Sequence, residues 1–388
     1  DDTVFLTDLS GNLDGAGGPE ADTGVQQLNV RTPRISADAR IARVLLAGET
    51  RANVVYYAID AALDLDPVLP GRQGKLERQF VGGPGDIDGT RAVYFQGPDT
   101  VPGGETRQSV RGAVRWRSLD PILPTPPNPA DLGVALSDLN VRNCPGTAPR
   151  ISGDVVVWCE WNDVDGDKQA DAFEGIVKRR VIGSPTGVET LSTRLAMTRS
   201  TPFDPPATEF QQPVVSERFI AWVEEPLVSG GTPRLAVLMG GPAAVPFVGS
   251  NVSFHASLVD PTCGTMQVAT MGGISGGRIV FTFLRNDGLT NDVGLFDVPT
   301  AEAKCLTNDM PPQNQPLVDG ARVAWRDNSK GETLQMLDLS RVRWLDGSQE
   351  LVFEPVTSRS VTAWISSRTN PDNPTQKRIA LVARRVPI

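Results

Sequence analysis

Histidine is almost missing from this chain: His255 is the only one among 388 residues. A histidine-rich metal site is therefore excluded, as are haem on histidine ligands and most zinc hydrolase chemistry. Any serine triad would have to use His255 itself, in Asn251-Val252-Ser253-Phe254-His255-Ala256, where a structural or surface role is expected. Lysine is scarce too, with six in the chain, and acidic residues outnumber basic ones 46 to 37. A net charge of −9 argues against nucleic acid as a partner, because neutralising phosphates needs a basic face. The one basic run, Lys178-Arg179-Arg180, reads as a solvated strand face.

Long apolar runs are absent. The best, 235–248, is broken by Gly240, Gly241, Pro242 and Pro246, so no transmembrane segment is expected. The sequence opens Asp1-Asp2-Thr3 without Met, which reads as a mature, exported chain whose signal peptide has been removed. The four cysteines, Cys144, Cys159, Cys263 and Cys305, include no C-x-x-C pair, which disfavours zinc and dithiol redox chemistry. An even number in an exported chain points to two disulfides. Three pairings exist; Cys144–Cys159 with Cys263–Cys305 is favoured because each pair falls within one or two neighbouring repeats.

Glycine (38) and proline (32) are abundant, as many short strands joined by tight turns require. They fall in a repeat. Pro149-Arg150-Ile151-Ser152-Gly153-Asp154-Val155-Val156-Val157-Trp158 is its clearest copy, and further copies start at Pro213, Pro316 and Pro355, each with Trp nine residues after Pro. Weaker copies start at Pro33, near Gly85 and near Gly272, where Tyr94 and Phe281 take the aromatic place of the last two. Proline is tolerated at the start of a strand. Glycine after Ser or Asp supplies the positive φ of a hairpin turn. The β-branched run ending in a large ring reads as a second strand buried between neighbouring sheets. A third strand follows, as in 294–298 and 334–339, and a fourth, as in Lys304-Cys305-Leu306-Thr307.

This pattern, P-x-I-S-G-x-x-V-V-W followed by an L-T strand, resembles the bacterial propeller repeats of the TolB type. The resemblance implies fold and little of function. A TolB-type protein carries a separate N-terminal α/β domain and usually six blades; neither is read here. The expected fold is all-β: one β-propeller over residues 1–388, of seven four-stranded blades starting near 33, 85, 149, 213, 272, 316 and 355. Six or eight blades stay open. The last repeat has three strands, so a strand from residues 1–29 is expected to complete it and close the ring.

Candidate chemistry is sparse. Asp163, Asp165, Asp167, Asp171 and Glu174 put oxygens at positions 1, 3, 5, 9 and 12 of a twelve-residue loop, the spacing of a calcium loop. Lys168 stands where glycine is usual. Two readings fit: a structural Ca²⁺ clamp, or a metal-free acidic hairpin loop. Gly273-Ile274-Ser275-Gly276-Gly277 matches a nucleophile elbow formally, but Ser275 sits where Ser36, Asp88, Ser152, Ser216 and Asp319 sit in other copies, and no helix pattern follows. Carboxylates near strand ends (Asp60, Asp64, Asp66, Asp120, Asp297, Asp338) are explained as turn residues. Trp158, Trp222, Trp325 and Trp364 read as core, Trp161 and Trp344 as surface.

Function is ranked accordingly. First comes a non-enzymatic secreted or cell-surface propeller that binds a protein or glycan through long loops. Second comes an extracellular subunit that assembles with copies of itself, and third a carbohydrate-active enzyme using a carboxylate pair.

Overall fold

The computed structural model describes residues 3–8, 29–35, 41–47, 52–58, 76–81, 85–97, 111–119, 133–144, 147–164, 166, 174–195, 213–224, 232–240, 252–284, 291–308, 312–327, 333–339, 343–348, 351–358, 361–370 and 373–385, with side chains between 85 and 339. Among these residues the structure is all strand and turn, with no helix.

The repeat makes antiparallel meanders. In the clearest, Arg150–Ser152, Val155–Trp161, Gly175–Val181 and Glu189–Leu195 pair in chain order. The same order runs through Gln267–Ser275, Arg278–Leu284, Asn291–Asp297 and Glu302–Cys305, and through Gln313–Asp319, Arg322–Asp327, Thr333–Asp338 and Arg343–Ser348. Thr3–Asp8 pairs antiparallel with Asn373–Arg385, becoming the fourth strand of the sheet built by Leu351–Ser358 and Val361–Asn370. That is the strand exchange expected from the incomplete last repeat.

Strand alternation then stacks the sheets. Val155–Trp161 is buried at every position but Glu160, so both of its faces are covered. Val156 and Trp158 pack with Val93, Val114 and Leu136 of the preceding sheet. Val155, Val157, Cys159 and Trp161 pack with Ile220, Trp222, Ala236 and Leu238 of the following one. The pattern recurs: Trp222 and Trp325 also face back onto the sheet before their own. Trp158, Trp222 and Trp325 are all but fully buried, as core rings should be. Trp161 is buried as well, at 2% exposure. This corrects its surface reading: the Arg142 guanidinium lies 4.7 Å from its ring centre and covers it. Arg179 is likewise buried, paired to Glu189, and Arg180 Nη1 donates to the Leu136 carbonyl at 2.7 Å, so these two are packed, while Lys178 bonds Thr190 Oγ1 at the surface.

The first strands of successive sheets touch. Gly85–Asp88 packs on Arg150–Ser152, which packs on Val214–Ser216, then Gln267–Ser275, Gln313–Asp319, Leu351–Ser358 and Asn29–Ile35, and the last of these meets Gly85–Asp88.

The Ser/Asp position of the repeat is a link between sheets. Asp88 Oδ2 accepts the Gly153 N–H at 2.5 Å, Ser152 Oγ the Glu217 N–H at 3.0 Å, Ser216 Oγ the Gly276 N–H at 3.3 Å, and Ser275 Oγ the Gly320 N–H at 2.9 Å. Each acceptor thus holds the first turn residue of the next sheet. Two arginines add a second prong: Arg278 Nη1 donates to the Gly320 carbonyl at 2.9 Å, and Arg91 Nη1 to that of Gly153 at 3.4 Å. Gly153 and Gly320 have φ of 57° and 56°, a left-handed conformation that strains residues with a Cβ. Ser275 is therefore an inter-sheet ligand of a backbone amide, like its counterparts in the other copies.

The cysteines pair as favoured from the sequence. Cys144–Cys159 and Cys263–Cys305 have Cα atoms 5.4 and 6.2 Å apart. Cys144 lies on the connection into its sheet, so its bond fixes that entry to the second strand. Cys263 lies in the small hairpin Val259–Asp260 and Gly264–Thr265, and its bond ties this excursion to the outermost strand Glu302–Cys305. Asp260 supports the same junction, accepting the N–H of Thr262, Cys263 and Cys305.

Ser275→Ala removes one acceptor of an exposed amide, so it should lower unfolding stability by about 1 kcal/mol, read from urea denaturation. An unchanged midpoint would show that water replaces the link without cost.

Candidate functional site

The repeat carries a carboxylate two residues beyond its tryptophan in three copies, Glu160, Glu224 and Asp327, of which the first two bond the ring of that tryptophan. A period of two places both side chains on one face of a strand. Trp158 Nε1 accordingly donates to Glu160 Oε1 at 2.7 Å, and Trp222 Nε1 to Glu224 Oε1 at 3.0 Å. From there the two positions diverge.

Glu224 ends the strand Phe219–Glu224, and its backbone pairs with Leu195 at the end of the preceding sheet's outer strand. That pairing brings Glu189–Leu195 alongside. Ser192 Oγ donates to Glu224 Oε1 at 2.6 Å, and Arg194 Nη2 to Oε2 at 3.0 Å. His255, at the end of Val252–His255, places Nε2 3.0 Å from the same Oε2. Glu224 is 7% exposed, whereas the side chains of Arg194 and His255 are 28% and 41% exposed. A buried carboxylate thus holds a cation and an imidazole side by side at the surface.

Burial works to raise the pKa of Glu224, but hydrogen bonds from Ser192, His255 and Trp222 and the charge of Arg194 outweigh it. The carboxyl is held below its ordinary value and stays ionised. Burial also raises Glu160, and there it prevails: the Trp158 bond and the Lys178 charge pull the other way, while Asp138 adds a further push upward.

In a neutral ring that gives its Nε2–H to Glu224, the lone pair lies on Nδ1, the arrangement of a general base. Ser192 does not complete a triad. Its hydroxyl is bonded to the carboxylate, not to the imidazole.

The residues picked out from the sequence lie elsewhere. Asp163 Oδ2 is 3.4 Å from Arg142 Nη1, and Glu174 Oε1 accepts the Val164 N–H at 2.8 Å. Asp165, Asp167 and Asp171 lie outside the described residues. Among the described residues no three metal-ligating side chains converge. Asp297 faces Arg278 at 3.6 Å; Asp60, Asp64, Asp66 and Asp120 lie outside the described residues, as does the Asp338 side chain. Glu224, Ser192 and Arg194 were missed by the sequence reading. The available signal was the acidic residue two beyond Trp158, Trp222 and Trp325, seen at the same point of three repeats.

No protein-family model and no curated protein matches the chain. Solved structures do. A prolyl endopeptidase aligns over 95% of this chain and 48% of its own, at 13% identity and a TM-score of 0.52. The propeller domain of a trilobed protease from Pyrococcus furiosus aligns over 92% and 94%, at 7% identity and 0.51. An oligogalacturonate lyase aligns over 91% and 88%, at 10% and 0.51. The likeness is to β-propellers. At these identities it shows fold alone, and this chain spans about half of the prolyl endopeptidase. It also corrects the function ranked first. The similar propellers belong to peptidases and a lyase, and they lend the non-enzymatic binding module no support.

The two acids should respond oppositely to substitution. Glu224→Gln leaves Arg194 and His255 without their counter-ion and should cost about 2–3 kcal/mol at pH 7. Because the folded form holds Glu224 below its unfolded value, its contribution is present above that unfolded value and is lost as pH falls through the folded one. The difference from wild type should therefore shrink in acid. Glu160 is shifted upward, so its ionised form opposes folding at neutral pH. Glu160→Gln keeps an acceptor for Trp158 and should fall within about 0.5 kcal/mol of wild type, or stabilise. Urea titrations at several pH values check both.

Proposed function

We propose that this chain is the substrate-handling propeller of an enzyme that works outside the cytoplasm, with the Glu224 centre as its point of contact with substrate. The observation that carries the reading is the clustering of Arg194 and His255 on one oxygen of a buried, ionised carboxylate. Stability alone does not call for such a centre. Apolar side chains of similar volume usually serve a protein interior as well as a buried ion pair, or better. A group that must present a base and a cation in fixed geometry does call for it.

The scaffold we propose is a closed ring of seven blades built from TolB-type repeats. Support comes from the round of first-strand contacts, from the pairing of Thr3–Asp8 with Asn373–Arg385, and from the P-x-I-S-G-x-x-V-V-W motif. Two disulfides fit an oxidising compartment, and no described helix is long and apolar enough to cross a membrane. Ca²⁺ in the loop of Asp163, Asp165, Asp167, Asp171 and Glu174 would be a structural clamp at one edge of this scaffold. Arg142, which already pairs with Asp163, competes for that ligand.

Two measurements test these readings. The purified chain, incubated with a panel of peptides and acidic oligosaccharides, should bind or turn over at least one, and His255→Gln should reduce turnover about 100-fold or more. Full activity in that variant, or no binding to any of the panel, would contradict the proposal. Calcium in place of a chelator should raise the melting temperature if the acidic loop is a clamp; an unchanged temperature would make it a metal-free hairpin.

A further inference from the structure

The two disulfides differ in what surrounds them. Cys144 and Cys159 are both fully buried, in the apolar cluster of Val157, Trp161 and Leu195. Cys263 and Cys305 are only partly buried. Cys263 sits in the small hairpin of Val259–Asp260 and Gly264–Thr265, where Pro261, Thr262, Gly264 and Thr265 around it are all exposed. Cys305 is instead held in a sheet: it ends Glu302–Cys305 and pairs there with Gly294. The hairpin packs on that strand. At its base Met266 donates its N–H to the Leu258 carbonyl at 2.8 Å, and both side chains are buried. Beside the disulfide, the Asp260 carboxylate accepts the Cys305 N–H at 3.3 Å, a non-covalent tie that doubles the covalent one. The Cys305 sulfur also lies 2.8 Å from the Thr307 carbonyl oxygen.

We infer that Cys263–Cys305 is a thiol–disulfide exchange site, opened in the folded protein by a thiol or dithiol that attacks the Cys263 sulfur while Cys144–Cys159 stays closed. Exposure decides between the two bonds. An incoming thiolate must reach a sulfur to attack it, so an accessible disulfide is labile and a buried one inert. Exposure also decides between the two sulfurs: Cys263 has exposed residues on either side, whereas Cys305 lies in a strand against which the hairpin packs. The incoming thiolate bonds to the Cys263 sulfur, the Cys263–Cys305 bond breaks, and its electron pair leaves on the Cys305 sulfur. That sulfur takes a proton from water, and the new S–H has an acceptor already in place in the Thr307 carbonyl. With a dithiol, the second thiolate then displaces the first from Cys263. Two electrons and two protons have reduced the cystine to two thiols, and the dithiol has become a disulfide. Neither product requires unfolding, because Asp260 still holds the hairpin at the Cys305 amide and the Leu258–Met266 bond still closes its base.

The test uses the whole folded chain. Dithiothreitol, a small dithiol, is titrated in at neutral pH without denaturant, and free thiols are capped with iodoacetamide. Peptide mass spectrometry reads the four cysteines, and circular dichroism follows the fold at each step. Cys263 and Cys305 should be capped at least about 10-fold faster than Cys144 and Cys159, with the spectrum unchanged. Capping of all four together, or of none before the spectrum collapses, would overturn the inference and make both bonds purely structural. The attacked sulfur is read with reduced glutathione, a monothiol, which stops at the mixed disulfide. After quenching with N-ethylmaleimide, the chain should carry glutathione on Cys263 and the maleimide on Cys305. The reverse placement would overturn the assignment of Cys263 as the attacked atom.

Discussion

A side-chain oxygen reaching to the turn of the next sheet is the contact on which the remaining architecture depends. Asp88, Ser152, Ser216 and Ser275 each satisfy an amide that its own hairpin leaves unpaired. These four sheets are thereby each held to the next at one end, and by interdigitated apolar faces along their length. Face packing alone is weakly directional. The link supplies the missing register, because a hydrogen bond of about 3 Å tolerates little sliding. Where arginine adds a second bond to the turn carbonyl, as Arg278 does at Gly320, the turn is gripped from both of its polar groups.

The seam that holds the Glu224 centre is pinned at both of its ends. At one end Ser152 binds the Glu217 amide, at the start of the hairpin leading into Phe219–Glu224. At the other end of that strand, Glu224 pairs with Leu195 through the backbone and with Ser192 and Arg194 through its side chain. In between, Ile220 and Trp222 fill the space against Val157, Trp161 and Leu195. An ionised carboxylate at such a place keeps its geometry because the scaffold, not the ion pair, sets it. That is the preorganisation a binding or proton-transfer group needs.

Fold was legible in the sequence to the extent that it is written locally. Proline at strand starts, glycine at the turns, and alternation ending in tryptophan are features of neighbouring residues, and they led to the strands now seen around 149–161, 213–224 and 316–327. The disulfide pairing was legible because its separations, 15 and 42 residues, stay within adjacent repeats. What failed depended on distant neighbours. Ser275 does flank a turn, as read, but its bond to an amide 45 residues away was not legible. Trp161 and Arg179 read as exposed because the groups that bury them come from other strands. Glu224 draws its partners from 30, 31 and 32 residues away, and only the Trp-x-Glu pair within its own strand could have marked it.

The inter-sheet link makes a claim about four amides that no isolated hairpin would share. Native-state hydrogen exchange at Gly153, Glu217, Gly276 and Gly320 reads it directly. These turn positions should exchange more slowly than unprotected amides, since each is held by an acceptor from the neighbouring repeat. Exchange at the unprotected rate would contradict the account, and would leave the alignment of each sheet with the next to apolar packing and the arginine contacts.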